Sequence, residues 1–219
     1  MRATLPRRAA KLVKIDRCIV AFLKDYRKNS HIGGDFEGAY YWNEREVQWE
    51  LFSHLRERTV SRSIGSRWWI HAEGSVERPR YARWERSRRA DIVVVNHSKF
   101  KKWWKQRQGV PPYEAMIEVK IVWSGQSVAN TVSKLRSDAR KLVSCLRGGK
   151  TREAHIILLD TLSEDGLPCY SSQQIEELLG HLNLRPRIAS RIHLWHWPDS
   201  EEKVETVRKA PWHHYTGYV

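Results

Sequence analysis

A long helical pattern set between two strand patterns constrains the fold of this chain more than any other feature. Between residues 126 and 147, apolar side chains recur at helical spacing, and a pair of glycines ends the pattern. Residues 113–123 before this helix and residues 154–159 after it are short segments rich in β-branched or other apolar side chains. The second segment is continuously apolar, which is typical of a strand covered on both faces. The pattern predicts an α/β or α+β domain with a mixed central sheet.

Further periodic segments surround this centre. We predict amphipathic helices at 9–28, 43–58 and 171–179, and strands at 68–76, 91–95 and 191–197. The order of elements is then α, α, β, β, β, α, β, α, β. We divide the chain into an N-terminal helical extension, residues 1–36, and a main domain, residues 37–219.

The chain is strongly basic, with 39 Lys and Arg against 25 Asp and Glu, a formal charge of +14 at pH 7, and 11 Trp. Positive charge combined with planar aromatic side chains favours a nucleic acid partner. No apolar run approaches the roughly 18 residues of a membrane span, and the N-terminus lacks a secretory signal. Three scattered cysteines argue against a disulfide framework. We therefore expect a cytoplasmic protein with no membrane partner.

Most of the excess charge lies in residues 56–107, which contain 15 Lys and Arg against 5 Asp and Glu. Basic groups alternate there with aromatic rings, which suits phosphate contact combined with stacking on bases. The alternative is a solvated basic surface whose Trp side chains cover a small core. The predicted nucleic-acid contacts are Arg78, Arg80, Arg83, Trp84, Arg86, Arg88, Arg89, Lys101, Lys102 and Lys105, with Gln126 and Lys134 further along the chain. For these last two, the alternatives are a polar helix cap and a solvated helix surface.

Charged side chains interrupt two otherwise apolar strand segments, RRADIVVV at 88–95 and AMIEVK at 115–120. Glu118 and Lys120 are two residues apart, so they project from the same face of a strand. If Asp91 pairs beside Glu118, two carboxylates and an ammonium group converge, and a divalent cation would relieve the repulsion between the carboxylates. Mg²⁺ suits such oxygen ligands and keeps waters, one of which Lys120 would orient for attack on a phosphodiester. The alternative is an ion pair between Glu118 and Lys120 at a sheet edge.

These residues resemble the PD-(D/E)xK nuclease superfamily over roughly residues 43–160. The matching features are an acidic residue that opens one strand, Glu-x-Lys on the next strand, and then a long helix and a further strand. Asp91, Glu118 and Lys120 supply the acidic residue and the Glu-x-Lys pair. The proline that gives the family its name is replaced by Ala90. The resemblance implies a restriction-endonuclease-like αβββαβ core with a mixed central sheet, here with an N-terminal helix and C-terminal additions.

The resemblance also implies a Glu facing the site from the helix before the first strand. Glu44 fits this position best, because it lies on the stripe that continues through Val47 and Leu51, and Glu46 and Glu50 are second choices. The implied activity is that of a Mg²⁺-dependent endodeoxyribonuclease, with Mn²⁺ as a substitute, acting on double-stranded DNA in restriction, phage defence or a mobile element.

In this interpretation Asp91 and Glu118 hold the metal, Lys120 acts on the water, and Glu44 assists. Cleavage of both strands by one metal site would require a homodimer or two successive nicks. Two alternatives stay open: a non-catalytic nucleic-acid-binding protein, and a nuclease for RNA or branched DNA. We also expect Asp138 to form a helix-surface ion pair with Lys134.

Overall fold

The structure of the protein is a computed structural model that describes residues 9–30, 44–60, 68–75, 89–106, 112–122, 128–160, 174, 186–198 and 213–216. The chain forms two compact units, residues 1–66 and residues 67–219. No helix among the described residues is both long and apolar enough to cross a membrane.

The described part of the first unit consists of two helices in contact, α1 (Ala9–Ser30) and α2 (Glu44–Val60). The helices predicted at 9–28 and 43–58 are therefore confirmed. Each helix buries one apolar stripe, because its apolar residues recur at helical spacing. The buried residues are Ile15, Ile19, Phe22 and Leu23 in α1, and Val47, Leu51 and Leu55 in α2.

The second unit is built on a six-stranded mixed sheet in which the strands lie side by side in chain order. Strands 1 to 3 pair antiparallel, strands 3 to 5 pair parallel, and strand 6 is antiparallel to strand 5. The predicted α/β class and mixed sheet are confirmed. The strands are β1 (Trp68–Ser75), β2 (Arg89–Asn96), β3 (Tyr113–Val122), β4 (Thr151–Asp160), β5 (Ile192–Pro198) and β6 (His213–Thr216).

The long helix of the sequence pattern corresponds to Val128–Arg147, which connects the parallel strands β3 and β4. A parallel pair requires such a crossover, because the chain must return from the end of β3 to the opposite edge of the sheet before β4 begins. A tight turn cannot span that distance. The helix packs its apolar seam on one face of the sheet and forms the main core there. The seam residues are Leu135, Ala139, Leu142 and Leu146, and they meet Met116, Ala154, Ile156 and Leu158 of the sheet.

Two short helices were not predicted from the sequence: α3 (His97–Gln106), which begins directly after β2, and α5 (Pro186–Ala189). The long crossover helix Val128–Arg147 is accordingly α4 in chain order. Asn96 caps α3, because its Oδ1 accepts the backbone N–H groups of Ser98 and Lys99 at 3.1 and 3.3 Å. The helix predicted at 171–179 lies outside the described residues, apart from the helical Gln174.

Candidate active site

The register between β2 and β3 brings Asp91 and Glu118 together. Ile92 pairs with Ile117 and Val93 with Met116 in antiparallel fashion, so Asp91 continues the ladder opposite Glu118. Directly opposite residues project from the same face of an antiparallel pair. The Asp91 carboxylate is also fixed in place, because the Val119 N–H donates a hydrogen bond of 2.8 Å to its Oδ2. Two carboxylates from neighbouring strands therefore share one place on the α4 face of the sheet.

Glu118 is an unusual residue for a central strand, since it is a carboxyl group with only 1% of its surface exposed. The pKa of Glu118 is raised to about 8, because burial and, after it, the nearby Asp91 charge outweigh the lowering effect of Lys141. A buried carboxyl group beside another carboxylate is costly unless a cation stands close to it. A positively charged group close to Glu118 therefore stabilises the ionised form of this carboxyl pair.

Two lysines supply positive charge on this face. Lys120, two residues after Glu118 on β3, lies with its Nζ 3.4 Å from Asp138 Oδ2 and donates a 3.2 Å hydrogen bond to the Val119 carbonyl. Its side chain is mostly buried. The structure contradicts the alternative of a sheet-edge ion pair, because β3 is flanked by strands on both sides. Lys120 therefore belongs to an interior cluster between the sheet and α4.

Lys141 of α4 is the functional candidate that the sequence interpretation missed. Its Nζ lies 2.6 Å from Glu118 Oε1 and 3.0 Å from Asp138 Oδ1, and it donates a 2.9 Å hydrogen bond to the Arg89 carbonyl. Burial alone would lower the pKa of Lys141, but the negative charge of Glu118 raises it overall. One signal was available: Lys141 precedes the buried Leu142 and stands three residues after Asp138 on the same helix.

The expected helix-surface pairing of Asp138 with Lys134 is wrong. The Asp138 side chain is only 19% exposed and bridges Lys120 and Lys141 between helix and sheet, whereas Lys134 is exposed. The reason is that Asp138 borders the buried seam of α4, so its carboxylate is drawn to the two lysines. We call Asp91, Glu118, Lys120, Asp138 and Lys141 the carboxylate–lysine cluster.

Glu44 lies at the first position of α2, in the first unit. It is half-buried, and Gln48 Nε2 donates a 3.3 Å hydrogen bond to its Oε1. This bond links residues one helical turn apart on a single face of α2. Its participation in the carboxylate–lysine cluster stays a prediction.

The predicted nucleic-acid contacts divide into two groups. Arg89, Lys101, Lys102, Lys105 and Lys134 are described by the structure and are all exposed. The remaining predicted contacts lie outside the described residues: Arg78, Arg80, Arg83, Trp84, Arg86, Arg88 and Gln126.

A second polar group is buried on β3 and β4. Glu114 accepts hydrogen bonds from Lys99 Nζ at 2.6 Å and Arg152 Nη1 at 2.8 Å. Burial alone would raise the pKa of Glu114, but these two hydrogen bonds lower it overall. The pKa of Glu153 is instead raised, to about 7. Burial and the charge of Glu114 raise it by more than the charges of Arg152 and Arg191 lower it.

Histidine and tryptophan side chains form a buried layer on β4 and β5. The rings of His155 and His193 are stacked with centroids 4.8 Å apart, and Trp195 Nε1 donates a 3.3 Å hydrogen bond to His155 Nδ1. His196 is also buried. His155 was not singled out from the sequence, because a lone His within an apolar strand gives no signal of its own.

In the part of the chain that the structure describes, no three His, Cys, Asp or Glu side chains come together as a ready set of metal ligands. Comparisons with protein-family models, with curated proteins and with solved structures found no match.

Proposed function

We propose that this chain is a metal-dependent nuclease that hydrolyses phosphodiester bonds of DNA. The observation that carries the proposal is the register that sets Asp91 beside Glu118, with Lys120 on the same face of β3. Such a group has few structural uses, because burying Glu118 beside a second carboxylate costs stability, and such costly charge pairs concentrate at functional sites.

The order of elements supports the proposal. The chain runs α2, β1, β2, β3, α4, β4, with the short helix α3 between β2 and β3. Apart from that added helix, this order follows the αβββαβ core of the PD-(D/E)xK superfamily. Asp91 stands near the start of the second strand, and Glu118 and Lys120 stand on the third, as the resemblance requires.

The donor set fits a hard divalent cation held by Asp91 and Glu118. Both groups are carboxylates, the ligand class that Mg²⁺ and Mn²⁺ prefer, and a cation would relieve the repulsion that raises the Glu118 pKa. When bound, the metal supplies a Lewis acid and lowers the pKa of its water ligands.

The protein side chains would do the rest of the work. Val119 N–H and the Lys141 ammonium orient the two carboxylates, so the ligands are held before substrate arrives. Lys120, held by Asp138, would place an ammonium group near the attacking water and the scissile phosphate. Exposed basic side chains, among them Arg89 and Lys101, would contact phosphates outside the site.

The test is cleavage of supercoiled, linear, branched and single-stranded DNA in Mg²⁺, Mn²⁺, Ca²⁺ or chelator. We expect cleavage in Mg²⁺ and Mn²⁺, binding without cleavage in Ca²⁺, and no cleavage in chelator. Glu118→Gln and Lys120→Met should each lose cleavage while retaining DNA binding. Glu57→Gln, at an exposed position of α2, is the matched control and should cut like the wild type. Cleavage in chelator, or wild-type cleavage by Glu118→Gln, would contradict the proposal.

One observation favours a second candidate, a non-catalytic nucleic-acid-binding protein. The Lys141 ammonium at 2.6 Å from Glu118 already supplies a protein cation to the carboxylate pair, so the cluster can be neutralised without a metal. DNA binding without cleavage in any metal, together with no effect of Mg²⁺ on stability, would favour this candidate.

A further inference from the structure

Helix α3 lies outside the sheet and carries a continuous group of aromatic rings. None of its residues is buried. Phe100 contacts the rings of Trp103 and Trp104 at centroid distances of 5.3 and 5.9 Å, and also that of Trp69 on β1 at 5.7 Å. His97 packs on Trp69 with centroids 4.1 Å apart. The rings therefore form one connected surface across two elements.

Two indoles of this surface face solvent. Trp104 is 53% exposed and Trp69 is 37% exposed, and Phe100 lies between them. A single exposed aromatic residue needs no explanation, but two exposed indoles, one on β1 and one on α3, that are joined through Phe100 mark a binding surface. Phe100 packs against the main core and so attaches α3 to the sheet, whereas the Trp104 indole stays exposed.

The charge around the rings identifies the class of ligand. The sequence of α3, HSKFKKWWKQ, contains four lysines and no acidic residue. Lys99 forms an ion pair with Glu114 at 2.6 Å, which links α3 to β3. Lys101, Lys102 and Lys105 are exposed. At about 100° per residue, Lys101 and Lys105 lie within about 100° of Trp104 around the helix, whereas Lys102 lies on the far side. A ligand of this surface would therefore carry negative charge next to the groups that contact the indoles.

Aromatic faces flanked by ammonium groups suit unpaired nucleotides. The bases of a duplex are already stacked on one another, so its outside offers phosphates to lysine but no free base face to an indole. An unpaired strand offers both, and base stacking on aromatic side chains is largely independent of sequence. An anionic membrane is less suitable, since α3 has no Leu, Ile, Val or Met to enter the acyl region.

We infer that Trp69, Phe100, Trp103 and Trp104, with Lys101 and Lys105, form a stacking platform for unpaired nucleotides. The platform directs the protein to DNA in which a single-stranded segment adjoins a duplex, such as a fork or flap. The choice of cleaved substrate rests on the proposed nuclease function, whereas binding by the platform does not. In β1 and β2, Trp69 pairs with Val95 and His71 with Val93, so the platform lies on the same face of the sheet as Asp91.

The experiment compares binding by the full-length protein to a labelled single-stranded oligonucleotide, a blunt duplex and a splayed fork, without divalent metal. We expect Trp104→Ala to weaken binding to the single strand and the fork about tenfold and to the blunt duplex less than about twofold. Trp104→Phe should recover most of the loss because it keeps a ring. Trp49→Ala is the matched control, since Trp49 is 60% exposed on α2 and stacks on Phe52 outside the platform.

A second pair of variants keeps the inference testable if Trp104→Ala fails to fold. Lys101→Ala combined with Lys105→Ala should weaken single-strand binding by several-fold, and the control pair Lys24→Ala with Arg45→Ala, at exposed positions of α1 and α2, should change it less than about twofold. Equal losses for duplex and single strand, no loss at all, or Trp104-dependent binding to phosphatidylserine vesicles would overturn the platform. Platform-dependent binding without cleavage of any DNA would overturn only the nuclease. Cleavage with no preference for the fork would overturn only the choice of substrate.

Discussion

Glu153 shows how one buried residue can make stability depend on pH. Its pKa is raised from the ordinary 4.5 to about 7, first by burial and then by Glu114. The folded protein therefore holds this proton more tightly than the unfolded chain does. The contribution to stability is complete below about pH 4.5 and is lost as pH rises through about 7, by up to about 3 kcal/mol.

Glu153→Gln removes this dependence, because the amide cannot ionise. Chemical denaturation at pH 5 and pH 7.5 should show similar free energies of unfolding for variant and wild type at the lower pH, and a more stable variant at the higher pH. Glu114→Gln is the control of opposite sign. The lowered pKa of Glu114 stabilises the fold above the ordinary value, so that variant should lose stability at pH 7.5. Parallel pH profiles for wild type and Glu153→Gln would contradict the assignment.

Lys141 is the residue that balances the carboxylate pair in the absence of metal. Above about pH 8, where Glu118 is ionised in the wild type, Lys141→Met should lower the free energy of unfolding in chelator by up to about 3 kcal/mol, because Glu118 loses its partner and must take up a proton. Mg²⁺ should raise the melting temperature more in this variant than in the wild type, because the cation replaces the lost charge. Lys134→Met, at an exposed position of the same helix, is the control. Identical Mg²⁺ shifts in all three proteins would argue against a metal at this site.

At the scale of single residues, the alternation of side chains along a strand was enough to place Glu118 and Lys120 on one face. The approach of Lys141 to Glu118 was not predictable in the same way, because it depends on how α4 lies across the sheet. The same uncertainty explains the error for Asp138. Local spacing indicated Lys134 as its partner, but in the packed structure Asp138 pairs with Lys120 at 3.4 Å and with Lys141 at 3.0 Å.

At the scale of elements, the pattern was informative wherever a face is buried. The seam of α4 was predicted from its spacing, and Leu135, Ala139 and Leu142 are all fully buried. Helix α3 was missed because it has no buried residue, and its sequence has no aliphatic side chain that would form an apolar stripe. Strand β6 was missed as well, since its four residues, HHYT, carry no apolar alternation.

The end of α4 gives a prediction at this scale. Gly149 has a φ of +67°, the Lys150 N–H donates to the Cys145 carbonyl at 2.9 Å, and the Gly149 N–H donates to the Leu146 carbonyl at 3.2 Å. This is a Schellman motif with glycine in the left-handed position. A Cβ at Gly149 would meet nothing within 4 Å, so the cost of Gly149→Ala is one of backbone conformation alone.

We expect Gly149→Ala to lower the free energy of unfolding by about 1 to 2 kcal/mol. Gly148→Ala is the neighbouring control. Its added Cβ would lie 3.3 Å from the Ser144 carbonyl oxygen, a contact that a small shift relieves, so it should cost less. Denaturant titration of both variants measures the difference. Equal losses of unfolding free energy in the two variants would show that steric contact of the added Cβ, and not the left-handed backbone, determines the cost of substitution at this helix end.

At the scale of the whole molecule, the strong positive charge of the chain contrasts with the neighbouring carboxylates of Asp91 and Glu118. The net charge of +14 attracts a polyanion from any direction, whereas Asp91 and Glu118 repel phosphate unless a cation stands between them. Nucleic-acid binding and phosphodiester hydrolysis would therefore depend on different residues. If the proposed function holds, basic residues would determine how tightly nucleic acid is bound, and a cation on the carboxylate pair would determine whether a phosphate can approach.

The salt dependence of DNA affinity tests this view of the whole molecule. Each phosphate contact releases counterions and adds about −0.9 to the slope of log affinity against log salt concentration, so the wild type should show a slope of about −4 or steeper. Joint replacement of Arg86, Arg88 and Arg89 by Ala should reduce the slope by about 3 and weaken binding to all sequences alike. The control removes three basic residues at exposed positions of the first unit, Arg17, Lys24 and Arg45.

Both variants have the same net charge, so a contribution from overall attraction alone would change them equally. Binding is measured by titration over a range of salt concentrations in Ca²⁺, where we expect complexes without cleavage. A reduced slope for the first variant only would place phosphate contacts near the start of β2, two to five residues before Asp91. Equal slopes for the two variants would mean that the basic segment attracts DNA without contacting it, and the predicted contacts at Arg86, Arg88 and Arg89 would then be wrong.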